Sequence, residues 1–260
     1  MDAGGRHAGT PSLADVLRSS MAPVILYDLP SKGRCACWSL NPWKTRMALN
    51  YKNIEYKTEW LEYPDVAPTL RATGLPPNDK GAPYEYSIPA AQLPDGTYVM
   101  DSMKIAHELE KRWPTPSLRL DSDVVPILAE ATPQVTVNLA PIIMPRVPRQ
   151  VLPERSAAYF HQTREVRFGM PLDELEKKQD PEKTWAAAKG SIEKLATLLK
   201  KNDGPYVLGN EVSYGDFIIV GLLQFAKTVG QDVYDRIVAH DKAFEDLYKA
   251  CAKWLERDDH

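Results

Sequence analysis

The order of strand-like and helix-like patterns along the chain constrains its fold more than any other feature. Up to about residue 115, short β-branched runs alternate with segments in which apolar residues have helical spacing. Beyond Pro116 the strand patterns stop, and helical patterns continue toward the C-terminus. We therefore predict an α/β domain over residues 23–115 and an all-helical domain over residues 123–260, joined by a linker.

The first domain opens with a predicted β-α-β unit. Residues 24–27, Val-Ile-Leu-Tyr, form an apolar and β-branched run that is typical of a buried strand. Asn41 and Pro42 predict the start of a helix that runs to about Lys52, because Asn is a favoured N-cap and Pro is tolerated at the first helical position. Residues 55–60 alternate charged with aromatic or β-branched side chains, which predicts a half-buried strand.

A loop-rich stretch and a β-β-α unit complete this domain. Residues 61–87 contain five prolines and predict at most one short helix. Strands predicted at residues 90–93 and 97–100 are separated by Pro94-Asp95-Gly96, which has the composition of a hairpin turn. Asp101-Ser102 then predicts the N-cap of a helix.

The second domain is predicted from amphipathic helices that surround one buried helix. Apolar side chains at helical spacing predict a helix that ends near residues 202–204 and a last helix over residues 244–255. Between them, Ser213 and Asp216 have the spacing of a capping box. The helix that follows, residues 217–223, is apolar on all sides, so we expect it at the centre of the domain.

Charge and motif content exclude several classes of function. The chain has 32 Lys and Arg against 35 Asp and Glu, a net charge of −3, so it lacks the basic field that attracts nucleic acid or an anionic membrane. Its longest apolar run is far below the about 20 residues that span a bilayer. The five histidines show no metal-ligand spacing, and phosphate-loop, dinucleotide-binding and Gly-x-Ser-x-Gly motifs are absent. We expect no nucleic acid, membrane or metal partner.

Cysteine usage and the N-terminal residues indicate the compartment. Cys35, Cys37 and Cys251 are too few for a disulfide framework, and the first residues lack the pattern of a signal peptide. We therefore expect a reducing, cytoplasmic location. Residues 1–22 are small, polar and Gly-rich at the start, which predicts a flexible N-terminal extension, with Met21 as an alternative start.

The domain order, with Ser-x-x-Asp at the head of a buried helix, resembles that of the soluble glutathione transferases over nearly the whole chain after Pro23. Within that superfamily, residues 43–46 (Trp-Lys-Thr-Arg), Ile88-Pro89 and Asp101-Ser102 are similar to the bacterial etherase-type enzymes that cleave lignin β-aryl ethers. Three segments resemble the fungal etherase-related class A transferases: residues 145–148, 155–160 and 163–169. The resemblance implies a thioredoxin-like N-terminal domain, a helical C-terminal domain, glutathione as co-substrate and a homodimer.

By this resemblance, Ser39 stands at the position that activates the glutathione thiol. Its hydroxyl would donate a hydrogen bond to the sulfur anion, and the following helix N-terminus would add a partial positive charge. The etherase-type pattern has proline directly after this serine, whereas this chain has Leu40, so Asn41 is an alternative sulfur contact. Cys37 is a third candidate, by its resemblance to the cysteine of omega-type transferases. Each residue also has a structural interpretation, as a loop residue, an N-cap or a buried thiol.

The resemblance also implies how glutathione is held. Ile88 would pair its backbone with the cysteinyl unit, with Pro89 in the cis form. Asp101 would bind the γ-glutamyl ammonium, and Ser102 would bind its carboxylate at a helix N-terminus. Two lysines are candidates for the glycine carboxylate: Lys80 and, second, Lys44.

A hydrophobic co-substrate is expected between the domains, against the first helix of the helical domain. The predicted wall consists of Val137, Pro141, Met144 and Pro145, followed by Pro148. The three prolines, spaced by four and three residues, would share one face of a helix and kink it. Packing between subunits is the competing interpretation of this cluster.

Five arginines in the same region have two interpretations, an anion-binding patch or helix-surface residues that pair with Glu154 and Glu165. We favour the second for the whole set: Arg146, Arg149, Arg155, Arg164 and Arg167.

The sequence therefore predicts a serine-type glutathione transferase that attacks electrophilic aromatic or phenolic compounds. Its reaction would serve detoxification, with β-aryl ether cleavage or peroxide reduction as further candidates. Two alternatives from other classes stay open. One is a carrier that binds aromatic compounds without turnover, and the other is a regulatory scaffold of the same fold.

Overall fold

The computed structural model describes residues 22–260. The predicted extension over residues 1–22 and the alternative start at Met21 therefore lie outside the described residues, except for Ala22. All four strands of the sheet lie between Val24 and Met100, and the named elements from Val124 onward are helical. The predicted fold class, a thioredoxin-like α/β domain followed by a helical domain, is confirmed.

The N-terminal sheet is mixed and has the strand order β2-β1-β3-β4. Its strands are β1 (Val24–Asp28), β2 (Tyr56–Trp60), β3 (Ala90–Gln92) and β4 (Tyr98–Met100). β1 pairs in parallel with β2 and antiparallel with β3, and β3 and β4 form the antiparallel hairpin. In the hairpin turn, Gly96 has φ +85°, which glycine adopts without a steric penalty. The predicted β-α-β unit and hairpin are both confirmed.

Helix α1 (Leu40–Tyr51) connects β1 to β2 and sets the position of the candidate thiol-activating residues. Its N-cap is Ser39, with φ −84° and ψ 140°, and not the predicted Asn41. Pro42 is thus the third helical residue, still within the first turn, where backbone N–H groups have no intrahelical acceptor. The N-cap prediction was wrong by two residues because Ser and Asn are both favoured caps and this whole turn tolerates proline.

Two further helices pack on the sheet. Helix α2 (Tyr63–Ala72) is the one short helix predicted within residues 61–87, and helix α3 (Ser102–Arg112) follows β4. Asp101 is the N-cap of α3, as predicted, and its Oδ1 accepts hydrogen bonds from the backbone N–H groups of Met103 (2.9 Å) and Lys104 (3.1 Å).

The helices of the second domain follow in chain order: α4 (Val124–Asn138), α5 (Ala140–Ile143), α6 (Arg146–Gln150), α7 (Glu154–Phe168), α8 (Leu172–Lys178), α9 (Pro181–Leu199), α10 (Tyr214–Val229), α11 (Gln231–Val238) and α12 (Lys242–Ala250), with a 3-10 turn at Ala252–Trp254.

The chain bends by 57° between α4 and the segment Ala140–Gln150. Pro141 lies at the start of α5, and Pro145 is the N-cap of α6. Pro141 and Pro145 therefore lie where new short helices begin, and Pro148 lies in the first turn of α6, so the three prolines do not share one face of a continuous helix. Within residues 22–260, no single helix is long and apolar enough to cross a membrane, although this bent pair passes by length and composition alone.

Helix α10 is the buried centre of the second domain, as predicted. At its start Ser213 and Asp216 form the predicted capping box, and burial raises the pKa of Asp216 to about 6. Its Gly221 lies against the first residue of α1, where an added Cβ would be 2.8 Å from the carbonyl oxygen of Leu40. The α10 helix can therefore approach α1 closely only because residue 221 has no side chain.

Candidate functional site

The start of α1 presents a free hydroxyl beside a helix N-terminus. Ser39 is half-buried, and its side chain does not cap the helix. Its hydroxyl also makes no hydrogen bond to another side chain within the described part of the chain. The positive end of the helix macrodipole lies at this point, and the first turn holds no acidic residue that would neutralise it. A hydroxyl in this position can donate to an anionic sulfur.

Asn41 lies two residues after Ser39, in the first turn of α1, and is exposed. Its Oδ1 accepts a hydrogen bond from Lys44 Nζ (2.8 Å), so the amide nitrogen is left as a donor. Ser39 and Asn41 both line a cavity at the domain boundary. The geometry thus brings the two predicted sulfur contacts together and leaves the choice between them to experiment.

Cys37 occupies a different environment from these two residues. Its side chain is buried, and its Sγ lies 4.0 Å from the carbonyl oxygen of Ser39. Burial and the nearby carboxylate of Asp28 raise the pKa of the Cys37 thiol well above its usual range. Because the thiolate is the reactive form, this thiol is unsuited to nucleophilic chemistry at neutral pH.

The Ile88-Pro89 peptide bond is cis, as the family resemblance implied. Pro89 is buried, and its carbonyl accepts a hydrogen bond from Asp101 N–H (3.1 Å). In residues 22–260, the N–H and C=O of Ile88 have no hydrogen-bond partner. An extended peptide could therefore pair with Ile88 as it would with a sheet edge.

The N-terminus of α3 forms the second polar end of the site. Asp101 adopts φ +87°, a conformation that costs free energy for any residue except glycine and often marks a functional position. Ser102 is buried beside it, and the buried phenol hydroxyl of Tyr214 lies near the Ser102 side chain. Burial lowers the pKa of Lys44 to about 8, and Asp101 opposes this shift.

Two adjoining cavities connect these groups. The small cavity, about 210 Å³, is lined by Asn41, Lys44, Ser87, Ile88, Pro89, Asp101, Ser102, Met103, Ala129, Tyr214 and Ile218. The large cavity, about 490 Å³, also contacts Asn41, Ser87 and Ile88, and it extends between α2 and α7. The three shared residues show that the two cavities adjoin, and we call the pair the groove, with a polar end and an aromatic end.

Aromatic side chains dominate the large cavity. Tyr63 of α2 stacks on Tyr159 of α7 with ring centroids 6.0 Å apart and planes 10° apart. Trp38 contacts Tyr63 edge-on at 6.5 Å, and Phe160 lies 5.8 Å from the same ring. Such walls accommodate a flat apolar group.

Of the predicted co-substrate wall, Met144 lines the large cavity, together with the neighbouring Val147. Val137 is 55% exposed on α4, while Pro141 is half-buried and Pro145 is buried outside the lining. The bend after α4 turns these residues away from one another, so a face predicted for a single helix does not exist.

The two predicted lysines also separate. Lys80 is exposed in the loop between α2 and β3 and lines neither cavity. Lys44 lines the small cavity and lies next to Asp101, the end predicted for the γ-glutamyl unit and not for the glycine carboxylate. In the described residues, no cluster of three or more His, Cys, Asp or Glu side chains could hold a metal ion.

Sequence reasoning missed several residues of this groove. Tyr63, Tyr159 and Tyr214 carry no motif that marks them, since their roles depend on which helices pack together. Arg164 belongs to the arginine set that we interpreted as a surface feature, yet it lines the large cavity. Its spacing of four from Phe160 was the signal that it faces inward with an apolar neighbour.

Comparisons with known proteins agree on the family of the two domains. Family models of the glutathione S-transferase N-terminal and C-terminal domains match residues 38–112 and 128–254. The glutathione S-transferase-like protein ustS of Aspergillus flavus is 30% identical over 259 residues, covering 92% of this chain and 93% of that protein.

Solved structures give the same result. A glutathione S-transferase of Ceriporiopsis subvermispora in complex with glutathione has a TM-score of 0.80 and 30% identity, covering 90% of this chain and 98% of that chain. The glutathione transferase GSTFuA3 from Phanerochaete chrysosporium has a TM-score of 0.79 and 26% identity, with the same coverages.

Proposed function

Since this chain belongs to the glutathione S-transferase family, we propose that it binds glutathione along the groove and activates its thiol at the start of α1 for attack on an electrophile in the large cavity. One observation carries the proposal. The small and large cavities share Asn41, Ser87 and Ile88 in their linings, so a peptide held in the small cavity would place its thiol beside the large one.

Glutathione fits the polar end of the groove through complementary groups. The N–H and C=O of Ile88 would pair with the cysteinyl backbone. Ser102 and the N-terminus of α3 would hold the γ-glutamyl carboxylate, and the open oxygen of Asp101 would accept from its ammonium. The buried Tyr214 hydroxyl lies near Ser102 and adds a further polar group at this end of the groove.

Activation of the thiol follows from the position of Ser39. Its hydroxyl, or the amide of Asn41, would donate a hydrogen bond to the sulfur, and the α1 N-terminus would favour the anion. A serine hydroxyl is not a base at neutral pH, so the thiol proton would leave to solvent. The thiolate then attacks an electrophilic aromatic or phenolic compound held between the rings of α2 and α7.

The proposal is tested by glutathione-dependent turnover of isothiocyanate, peroxide and β-aryl ether substrates, with glutathione binding measured separately by calorimetry. We expect wild type to bind glutathione and to turn over at least one class. Ser102→Ala should weaken glutathione binding about 10-fold through the loss of one charge-assisted hydrogen bond. The matched variant Ser191→Ala, in α9 and outside both cavities, should leave binding unchanged.

Other results would favour the remaining candidates. Tight binding of aromatic ligands and glutathione without turnover of any electrophile would identify a carrier. Absence of both glutathione binding and turnover would contradict the transferase proposal and would favour a regulatory scaffold of the same fold.

A further inference from the structure

Arg164 of α7 is a buried cation in the wall of the large cavity. Only 7% of its surface is exposed. Its guanidinium lies over the Phe160 ring at 4.0 Å from the centroid, and over the Tyr84 and Tyr63 rings at 5.4 and 5.6 Å. Rings on several sides hold the group in place within the cavity lining.

This guanidinium is incompletely paired. Arg164 Nη1 donates to the hydroxyl of Thr163 at 2.9 Å, a neutral acceptor. Its Nε is buried with no hydrogen-bond partner, and within residues 22–260 Arg164 forms no ion pair with a carboxylate. A buried charge without an anionic partner is unfavourable, so this arrangement indicates that the anionic partner comes from outside residues 22–260.

Three neighbouring arginines differ from Arg164, because each of them forms an ion pair with a carboxylate. Arg146, Arg149 and Arg155 form ion pairs with Asp232, Glu176 and Asp65. The pairing with Glu154 and Glu165 predicted from the sequence is absent from the described residues. Arg164 and the exposed Arg167 are the members of the set that line the cavity, and neither has an acidic partner in the described structure.

The cavity supplies no charge that would neutralise Arg164. Its acidic residue, Glu85, is 72% exposed and pairs with Arg71 at 2.9 Å. Burial raises the pKa of Tyr63 although the neighbouring Arg164 opposes the shift, so that phenol stays neutral and supplies no negative charge. The aromatic end of the groove therefore has a net positive charge at its wall.

We propose that the second substrate is an aromatic compound that carries a carboxylate, with its ring against Tyr63 and Tyr159 and its carboxylate on Arg164. A carboxylate is planar and matches the fork of a guanidinium, so it would accept hydrogen bonds from the unsatisfied N–H groups. This inference rests on the proposed transferase function, since it names the substrate class of that site.

Two electrophiles with the same reactive group, one with a carboxylate and one without, separate the effect of the substrate's charge from that of its reactivity. In 4-isothiocyanatobenzoate and its methyl ester, the glutathione sulfur forms a bond to the isothiocyanate carbon. The electron pair of the C=N bond moves to nitrogen, which takes a proton from solvent, and no group leaves. The two compounds differ in the carboxylate, so the ratio of their kcat/KM values, corrected for the spontaneous reaction, reports recognition of the anion.

We expect wild type to prefer the benzoate, and Arg164→Met to lower kcat/KM for the benzoate about 10- to 100-fold while the ester changes little. Arg164→Lys should retain part of the preference. Arg155→Met, the same substitution on the same helix but outside the cavity, should keep the wild-type ratio. Equal loss for both electrophiles together with a raised KM for glutathione would overturn the proposal, because Arg164 would then hold glutathione.

Direct binding separates this inference from the proposed function. Equilibrium dialysis of wild type with 4-nitrobenzoate and 4-nitrobenzamide needs no turnover, and we expect tighter binding of the benzoate that Arg164→Met abolishes. Turnover of the ester without any preference for the benzoate overturns the carboxylate proposal and leaves the transferase intact. Benzoate-selective binding without turnover of either isothiocyanate supports the anion site and contradicts the catalytic function.

Discussion

At the scale of single residues, the thiol activation that we propose uses a hydroxyl that makes no structural hydrogen bond within the described residues. Ser39 is the N-cap of α1, yet it leaves its side chain out of the cap. The loss of this hydroxyl should therefore cost little stability and act mainly on the bound thiol. Cys37 differs from Ser39 in this respect, because its side chain is buried in the hydrophobic core and its loss should reduce stability.

We predict that Ser39→Ala raises the pKa of enzyme-bound glutathione by about one unit, because the thiolate loses one hydrogen bond. The acid limb of the pH profile of kcat/KM should move to higher pH by the same amount. Ultraviolet absorbance of the bound thiolate against pH measures the shift directly. A silent Ser39→Ala with a shifted Asn41→Ala would assign activation to Asn41, and small shifts in both would assign it to backbone donors.

Lys44 gives the groove a charge that titrates near physiological pH. Its pKa, lowered to about 8 by burial, means that the ammonium is present below pH 8 and is lost above it. An anionic ligand group favours the charged form, so binding should weaken as pH rises through this range. Calorimetry with S-methylglutathione, which has no thiol to titrate, should show this loss between pH 7 and 9.

In Lys44→Met, binding at pH 7 should be about 10-fold weaker, the loss of one charge-assisted contact, and this part of the pH dependence should disappear. Lys57→Met, an exposed residue of β2, should retain the wild-type pH profile. A pH profile that is identical in wild type and Lys44→Met would show that Lys44 does not contact the ligand.

At the scale of elements, the contact between α1 and α10 determines the position of the first turn of α1, where we propose that the thiol is activated. We predict that Gly221→Ala destabilises the protein by about 1–3 kcal/mol, because the new methyl group meets the Leu40 carbonyl, which is backbone and cannot rotate away. The displaced α1 start should also lower kcat. Thermal unfolding and turnover measure the two effects.

Gly190→Ala is the matched control within a helix. Gly190 of α9 is exposed, and an added Cβ would meet no atom within 4 Å. Alanine there should stabilise the protein by about 0.5–1 kcal/mol through helix propensity alone. Equal effects of the two substitutions would contradict the close approach of α10 to α1.

At the scale of the whole molecule, a polar junction of Glu62 and Ser156 joins the domains beside the large cavity. The N–H and hydroxyl of Ser156, at the start of α7, both donate to Glu62 Oε2 at 2.9 Å. The same hydroxyl accepts from Tyr63 N–H at 3.2 Å. Together with the Arg155–Asp65 ion pair, this junction links α2 to α7, the two helices that form the walls of the aromatic cavity.

A double-mutant cycle of Glu62→Ala and Ser156→Ala should give a coupling free energy of about 1 kcal/mol, the net value of a partly buried hydrogen bond to a charge. Urea unfolding of the four proteins measures it. The exposed Glu59 provides the control, since Glu59→Ala should show no coupling with Ser156→Ala. Zero coupling between Glu62 and Ser156 would mean that the junction does not hold the domains.

The order of strands and helices, the capping box of Ser213 and Asp216, the cap at Asp101 and the hairpin turn could all be predicted from the sequence. Each depends on residues that lie within a few positions of one another, where backbone geometry and local hydrogen bonds decide the outcome. The family resemblance added the cis Ile88-Pro89 bond, which no local rule supplies.

Only the tertiary structure decided which side chains share the groove. Met144 lines the cavity while Val137 and Pro145 do not. The chain bends after α4, so these residues do not lie on one face of a single helix, contrary to the prediction. Arg155 forms an ion pair with Asp65, whereas Arg164, on the same helix α7, has no acidic partner among the described residues. Such pairings depend on distances between residues far apart in the chain, and those distances are set by how helices cross, which local patterns do not encode.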